Sequence, residues 1–404
     1  MIETKFKKTE LGSIPEDWNV RKMGEIGFTY NGLTGKKADD FGSGFSKYIT
    51  FLNVLNNPII NISLFENVKV TVEEKQNVVK KNDLFFNTSS ETPEEVGTCS
   101  VILNDVENLY LNSFCFGYRL VTDDIFGLYL SYYFRSKLGR SLMSKLAQGS
   151  TRYNLSKNSF LKASIALPPT IHEQQRIAEV LNDVDTLILS LGKMIEKKRN
   201  IKLATMQQLL TGKQRLPGFT EPWEEKKLGE VATVIMGQSP SSSFYNIKGY
   251  GLPLIQGNAD IGENRKQIVR YYTSMITKTC QSNTIIMSVR APVGSIGKSI
   301  TKSCIGRGVC AINYENDFIY HFLVYFEPQW GQFSKGSTFD SINGDEVRDL
   351  PINMPSSLSE QITIADILTD MDNEIAQLEA RKKKYEAIKQ GMMQQILTGK
   401  IRLI

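Results

Sequence analysis

Apolar residues recur at alternating spacings of four and three along two stretches of this chain. In the first they are Ile177, Leu181, Val184, Ile188, Leu191 and Ile195; in the second, Ile364, Leu368, Met371, Ile375 and Leu378, with Tyr385 resuming the stripe after Lys382. This is the heptad spacing of a helix whose narrow seam packs against another helix. Each stretch runs to roughly forty residues, which at ~1.5 Å per residue makes a rod of ~60 Å. Pro168-Pro169 and Pro355 stand before the rods, and Gly212 and Gly399 sit where helix C-caps belong. Elsewhere the pattern is short. Runs with β character at 48–52, 83–87, 284–289 and 308–313 are broken by Gly, Asn and Ser, and helical stretches at 126–147 and 318–334 come late in each segment. The pattern predicts an α+β chain: two mixed α/β globules, at 1–170 and 213–356, each followed by a long helix, at 171–212 and 357–404, with the helices packing on each other.

The two halves are copies. Residues 173–216 align with 360–403 at a constant offset of 187 without a gap, with 21 identities, and the ends read MQQLLTGKQRL and MQQILTGKIRL. Helical composition alone does not reproduce Gln207-Gln208 and Thr211-Gly212-Lys213 in register, so this is an internal duplication. The same offset joins Gly149-Ser150-Thr151 to Gly336-Ser337-Thr338. Nearer the start of each half it becomes 205, joining Trp18 to Trp223, Gly32 to Gly237 and Asn53 to Asn258. The second copy is therefore 18 residues shorter between these anchors (205 − 187). The ends of the halves agree while their middles have diverged.

Composition narrows the function classes. With 404 residues the chain is too long for one ordinary domain, and 41% hydrophobic with 23% charged residues is a globular balance. No stretch of 18 apolar residues exists and the first ten residues carry charge without an apolar run, so a cytoplasmic protein is expected rather than a membrane-spanning or secreted one. Five cysteines without a CxxC argue against a disulfide framework or a zinc site, and His172 and His321 are too few for a histidine-based metal centre or triad. The net charge of +5 leans basic without naming a partner.

No catalytic constellation emerges. Gly294-Ser-Ile-Gly-Lys298-Ser299 imitates a phosphate loop, but Pro292 stands where the P-loop needs its first glycine, so a turn is expected. Glu73–Lys75 and Glu224–Lys226 lack a placed aspartate partner for nuclease chemistry, and no Asn-Pro-Pro-Tyr-type methyltransferase loop is present. What remains are loops of small polar and basic residues. Candidate DNA-contacting residues are Lys36, Lys37, Asn87, Ser89, Ser150, Thr151, Arg152 and Tyr153 in the first globule, with Arg119 among the same polar and basic loop residues. In the second they are Gln238, Ser239, Asn258, Arg290, Lys298, Arg307, Ser337 and Thr338. Arg, Asn, Gln and Ser read base edges, whereas Lys and backbone N–H groups hold phosphates.

The order of motifs resembles the specificity subunits of type I restriction-modification systems. The resemblance runs over nearly the whole chain. It includes Ile14-Pro-Glu-Asp-Trp18 followed by Gly24-Glu25, and its partner Trp223 followed by Gly229-Glu230. It also includes Gly251-Leu-Pro-Leu-Ile-Gln-Gly-Asn258, Val289-Arg-Ala-Pro-Val-Gly294, the helix openings His172-Glu-Gln-Gln-Arg-Ile177 and Ser359-Glu-Gln-Ile362, and both Leu-Thr-Gly-Lys ends. It implies two target recognition domains separated by two helical regions that pair antiparallel as a spacer. It implies recognition of an asymmetric, bipartite double-stranded DNA target, two modification (methyltransferase) subunits seated per chain, and restriction subunits as further partners. It also implies no catalysis and no cofactor in this chain, with S-adenosylmethionine, ATP and Mg belonging to the partners. Competing expectations are the DNA-recognition portion of a fused methyltransferase-nuclease, for whose catalytic part this chain leaves no room, and a coiled-coil scaffold.

Overall fold

The two predicted rods are continuous helices of 39 residues each, Ile171–Leu209 and Leu358–Ile396, in the computed structural model, which describes residues 4–330 and 341–404. The chain divides into two compact units, residues 1–191 with 381–404, and residues 192–380. Each unit therefore holds a globule, the first half of one long helix and the second half of the other. Among the described residues no helix is long and apolar enough to cross a membrane.

Each globule is built on a four-stranded antiparallel sheet of the same order. In the first unit it runs Gly27–Asn31, Cys115–Leu120, Leu84–Asn87, Cys99–Val101. In the second it runs Thr233–Met236, Val309–Asn313, Ile285–Ser288, Ile296–Lys298. The strands Leu84–Asn87 and Ile285–Ser288 are buried at every position, because side chains alternate between two covered faces. Leu84 and Phe86 join the core that also takes the long helices, while Phe85 joins a separate core under a second sheet. Ile285 and Met287 against Ile286 repeat this division.

Two local expectations change. The apolar run at 126–147 forms two helices, Gly127–Arg135 and Lys137–Leu146, because Ser136 is extended (ψ 166°) and its hydroxyl accepts the Gly139 N–H to start the second. The strand expected at 48–52 ends at Ile49, and Thr50 caps a helix at Phe51–Asn56 by accepting the Asn53 N–H.

The helices pair antiparallel inside each unit. In the first, Ile177, Ala178 and Leu181 share a core with Met393, Ile396 and Leu397. In the second, Ile364, Ala365 and Leu368 share one with Met206, Leu209 and Leu210. These are the same positions, 187 apart, with the roles of the two helices exchanged. The seam periodicity thus identified one contributor to each cluster and missed the second, which lies beyond its last heptad. Leu191, Ile195 and Ile375 are buried as the stripe requires, while Val184, Ile188, Met371, Leu378 and Tyr385 are half-buried. Ion pairs lie along the same seam: Lys389–Asp185 (2.5 Å) in the first unit and its copy Lys202–Asp372 (2.5 Å) in the second, the latter joined by Lys198–Glu374 and Arg199–Glu379. The Lys198 and Arg199 pairs are exposed and stabilise little.

The helix ends are held more firmly. Gly212 and Gly399 adopt φ of 69° and 68°, which favours glycine. At Gly399 a Cβ would also fall 2.3 Å from Pro15 and 3.1 Å from Trp18, and at Gly212 3.2 Å from Trp223. The chain thus turns under the tryptophan of each globule. Just beyond, Arg402 grips the fully desolvated Glu173 (2.5 and 2.8 Å) and also Asp17 (2.8 Å). Arg215 grips the buried Glu360 in the same fork (2.7 and 2.8 Å). Arg402 holds the Asp17 carboxyl below the usual carboxylate range.

Removing one partner of a buried pair leaves an uncompensated charge, a loss on the order of 3–5 kcal/mol. Arg402→Ala is expected to destabilise the first unit and Arg215→Ala the second. Hydrogen exchange resolved by peptide should show protection lost in residues 1–191 for the former and in 192–380 for the latter. The reverse pattern, or equal loss in both, would contradict the assignment. A pH dependence that rests on a buried histidine belongs to the second unit. His321 is 1% exposed, with Nε2 on the Thr369 hydroxyl (2.9 Å) and Nδ1 4.0 Å from Asp372. Burial, and then the nearby Lys202, push its pKa down to about 4. The unfolded chain takes up this proton near pH 6.5 and the folded one near 4, so stability is complete above 6.5 and falls by up to about 3 kcal/mol as pH drops to 4. In the first unit Tyr132 donates to the matching Asp185 (2.9 Å). Urea melts at pH 7 and 4.5 should show this loss in the wild type and a smaller one in His321→Gln.

Candidate nucleic-acid interface

In both sheets most of the placed polar candidates gather at one end, where the chain leaves the strands Leu84–Asn87 and Ile285–Ser288 and three loops meet. The two ends superimpose hydrogen bond by hydrogen bond. The Thr88 N–H donates to the Phe114 carbonyl as the Val289 N–H does to Gly308, and the Leu155 N–H donates to Thr88 as the Ile342 N–H does to Val289. Gly97 N–H to Asn87 is matched by Gly294 N–H to Ser288, and both glycines have positive φ, 67° and 89°. These pairs locate the length difference between the copies. The offset falls from 205 at Gly32/Gly237 to 201 at Thr88/Val289, 197 at Gly97/Gly294, 194 at Phe114/Gly308 and 187 at Leu155/Ile342. The 18 residues are lost in four steps, each between the framework contacts, which is why the middles looked unrelated in sequence.

In the first unit, Gly149-Ser150-Thr151-Arg152 is the turn between strands Ala147–Gln148 and Tyr153–Leu155, and the second of these pairs with Ser89–Ser90. Gly149 has φ 135°, and a Cβ there would lie 2.1 Å from the Arg152 carbonyl oxygen, so the turn requires glycine. Ser150 and Thr151 are exposed at the tip, and Tyr153 is half-buried opposite Ser90. Arg152 donates from Nε (3.2 Å) and Nη2 (3.1 Å) to the Ser89 hydroxyl, while the rest of its guanidinium is open to solvent. Lys157, which the sequence reading passed over, also reaches this end. It donates to the Asn31 side chain and lies over the Phe116 ring, and burial lowers its pKa.

In the second unit, the loops after Thr233–Met236 and after Leu252–Ile255 close on the turn at 306–308. The Gln238 N–H donates to Ile305 O (2.9 Å) and the Arg307 N–H to the Ser239 hydroxyl (3.0 Å), and a Cβ on Gly308 would lie 2.1 Å from Gln256 O. Gln238 and Arg307 are exposed, and Asn258 begins a short turn braced by buried Asp260, which accepts the Gln256 N–H (2.7 Å). Arg290 is exposed and bridges to Ser341. Gln238, Ser239, Asn258, Arg290 and Arg307 therefore share one end, where the Asp260 carboxylate is spent on the Gln256 and Gly257 N–H groups.

Four candidates have other work. Asn87 is fully buried; its amide carbonyl accepts the Thr98 N–H (2.6 Å), and the shorter Ser288 does the same for Ser295 in the second unit. It braces the loop and offers no edge to a ligand. Lys36 is tied to Glu74 (2.5 Å) and the Lys69 carbonyl, while Lys37 is exposed in the same loop; neither shares a described hydrogen bond with the set around Ser89. Lys298 lies across from Ile285 at the opposite end of its sheet, paired with Asp317 (2.6 Å) and 4.5 Å over the Tyr320 ring. Arg119 is likewise at the far end, forked onto buried Asp83 (2.7 and 2.8 Å). Charge in sequence does not reveal whether an acid faces it in the fold. Ser337 and Thr338 lie outside the described residues. Gly294–Ser299 is a turn and a strand edge, not a phosphate loop, and no cluster of metal-binding side chains occurs among the described residues. The five cysteines are buried, and burial pushes the Cys115 and Cys310 thiols up to about 12.

Two sheets of one order, two matched loop ends and two reciprocal helices define a duplicated recognition scaffold. Residues 15–202 and 220–390 match the type I restriction modification DNA specificity domain. The chain belongs to that family and carries two copies of its domain. It is 32% identical to a specificity subunit assigned to the type I restriction enzyme MjaX of Methanocaldococcus jannaschii, over 99% of this chain and 97% of that one. It is 26% identical to the MjaVIII specificity subunit of the same organism over equal shares. The S subunit of a type I restriction-modification system from M. genitalium shares the fold, with a TM-score of 0.62 at 16% identity, covering 98% of this chain and 99% of that one. So does a chain from a type I system solved to describe complex assembly and conformational transition, with a TM-score of 0.59 at 23% identity, covering 96% and 99%. As a specificity subunit this is the DNA-recognising, non-catalytic member of its system, acting with DNA and the other subunits.

The reassignment of Asn87 can be tested apart from DNA. Asn87→Ala leaves the Thr98 N–H unsatisfied in a buried site, a cost of about 1–3 kcal/mol. A lower melting temperature with an unchanged methylation motif is expected. A changed motif at unchanged stability would return Asn87 to the interface.

Proposed function

We propose that each unit reads one half of an asymmetric bipartite target and that each chain seats two modification subunits, with restriction subunits joining that complex in the cytoplasm. In this reading residues 1–170 and 213–356 are the recognition domains and 171–212 and 357–404 the spacers. S-adenosylmethionine, ATP and Mg are bound by the partner subunits.

The observation that carries the seating is a second stripe on the long helices. Five exposed positions within the helices are identical in both copies: Asp183/Asp370, Lys197/Lys384, Ile201/Ile388, Gln207/Gln394 and Gln208/Gln395. Four of them, all but Gln207/Gln394, fall within about 40° of one another at 100° per residue, and about 135° from the seam. The seam is kept by packing. Exposed residues have no such reason to survive while neighbouring surface positions change, unless each copy meets the same partner. Ile201 (41% exposed) and Ile388 (39%) are apolar on this stripe, which supports a protein partner in preference to DNA phosphates.

Ile201→Glu and Ile388→Glu should each leave the fold intact and cost one modification subunit. Native mass spectrometry of the reconstituted complex should show the two-to-one species reduced to one-to-one in either single variant. Retention of both modification subunits would rule the stripe out. The asymmetry is read from the methylome of cells carrying the complex, where two unlike short sequences around a nonspecific gap are expected. Loop lengths that differ in four places are incompatible with identical readers, so a perfect palindrome would overturn this part.

A further inference from the structure

The matched loop ends place an arginine at one station in both units, but from different strands. In the first unit the strand pair at this station is Ser89 opposite Asn154; in the second it is Arg290 opposite Ser341. Their flanking bonds, Leu155 to Thr88 and Ile342 to Val289, make Ser89 and Arg290 equivalent positions. The second unit thus carries its arginine on the sheet strand. The first has only a serine there, yet Arg152, in the turn two residues before Asn154, folds its guanidinium onto the Ser89 hydroxyl at 3.1 and 3.2 Å. Its counterpart by the 187 offset is the uncharged Phe339. Among the described residues an arginine at each station is the common feature, and the segment that supplies it is not.

We propose, on the reading that both units contact DNA, that Arg152 and Arg290 are the corresponding specificity-determining residues. Each reads one guanine in its own half-site, and Ser89 acts as a positioning residue for Arg152. The chemistry follows from the donors. A guanidinium offers a rigid pair of N–H groups that matches guanine O6 and N7 in the major groove, which a lysine cannot reproduce. Using two donors on a neutral hydroxyl fixes the plane of Arg152 without neutralising its charge, in contrast to Arg119, whose fork is closed on Asp83. Arg290 has no described acid partner and stands in solvent. Ser89 is buried with Arg152 on its hydroxyl, whereas Arg290 at the same position is exposed.

The test uses the full complex with its modification subunits and methylome sequencing. The wild type first establishes the bipartite motif, and its absence would defeat the parent reading and not this one. Arg152→Ala should relax a single G·C position in one half-site by roughly five- to one-hundred-fold in discrimination and leave the other half-site unchanged. Arg290→Ala should do the same in the other half-site. Arg152→Lys keeps the charge, so nonspecific DNA affinity should persist while the guanine preference is lost. The double variant Ser89→Arg with Arg152→Ala moves the arginine to the strand, as in the second unit, and should recover the guanine preference at the same position. An unchanged motif in Arg152→Ala would overturn the proposal. So would a loss that is uniform over all sequences, an effect of both variants on one half-site, or an affected position that is not G·C. Thermal melts of each variant separate these outcomes from unfolding.

Discussion

A forked arginine on a carboxylate taken out of water closes each unit. Glu173 and Glu360 stand in the first turns of the two long helices, and each is met by an arginine from just past the end of the other helix. Such a pair adds little net stability over an apolar substitute, but it tolerates no misalignment, since either partner alone is a buried charge. The seam could slide by a heptad at modest cost; these forks cannot. They set which turn of one helix faces which turn of the other. Through the tryptophan packed on each terminal glycine, they also fix where the chain enters each globule.

The reciprocity of the two units follows from the same bonds. Position for position, what the first helix gives the second unit, the second helix gives the first: Met206, Leu209, Leu210 and Arg215 in one direction, Met393, Ile396, Leu397 and Arg402 in the other. Against this fixed frame the loop ends differ freely. Asn87 and Ser288 brace the same turn with different side chains, and the loop between Thr88 and Gly97 shortens by four residues in the second copy without moving its flanking bonds.

The duplication and the long helices were legible because each has a period, and periods survive substitution; the core strands were legible as short apolar runs between turn residues. Strands at 83–87, 284–289 and 308–313 appeared within a residue of their expected limits. The break at Ser136 was not legible, since its flanks are apolar and helix-forming and one extended residue leaves no periodic trace. Among the candidate contacts, the turn at 149–152 was found through its repeat. That Lys298 and Lys36 face acids was not legible, because those acids, Asp317 and Glu74, are 19 and 38 residues away in sequence. The equivalence of Ser89 and Arg290 was invisible for a different reason: no single offset relates them to their surroundings.

The division of the chain also orders its folding in time. The second unit is one uninterrupted segment, 192–380, whereas the first is assembled from 1–191 and 381–404. Synthesis from the N-terminus therefore leaves the globule that emerges first waiting for the segment between, on the order of ten to forty seconds at ~5–20 residues per second. Until then the surface destined for Met393, Ile396 and Leu397 is open, and Glu173 lacks its arginine. A ribosome that stops after residue 380 would release a chain whose later-made unit is complete and whose earlier-made unit is not.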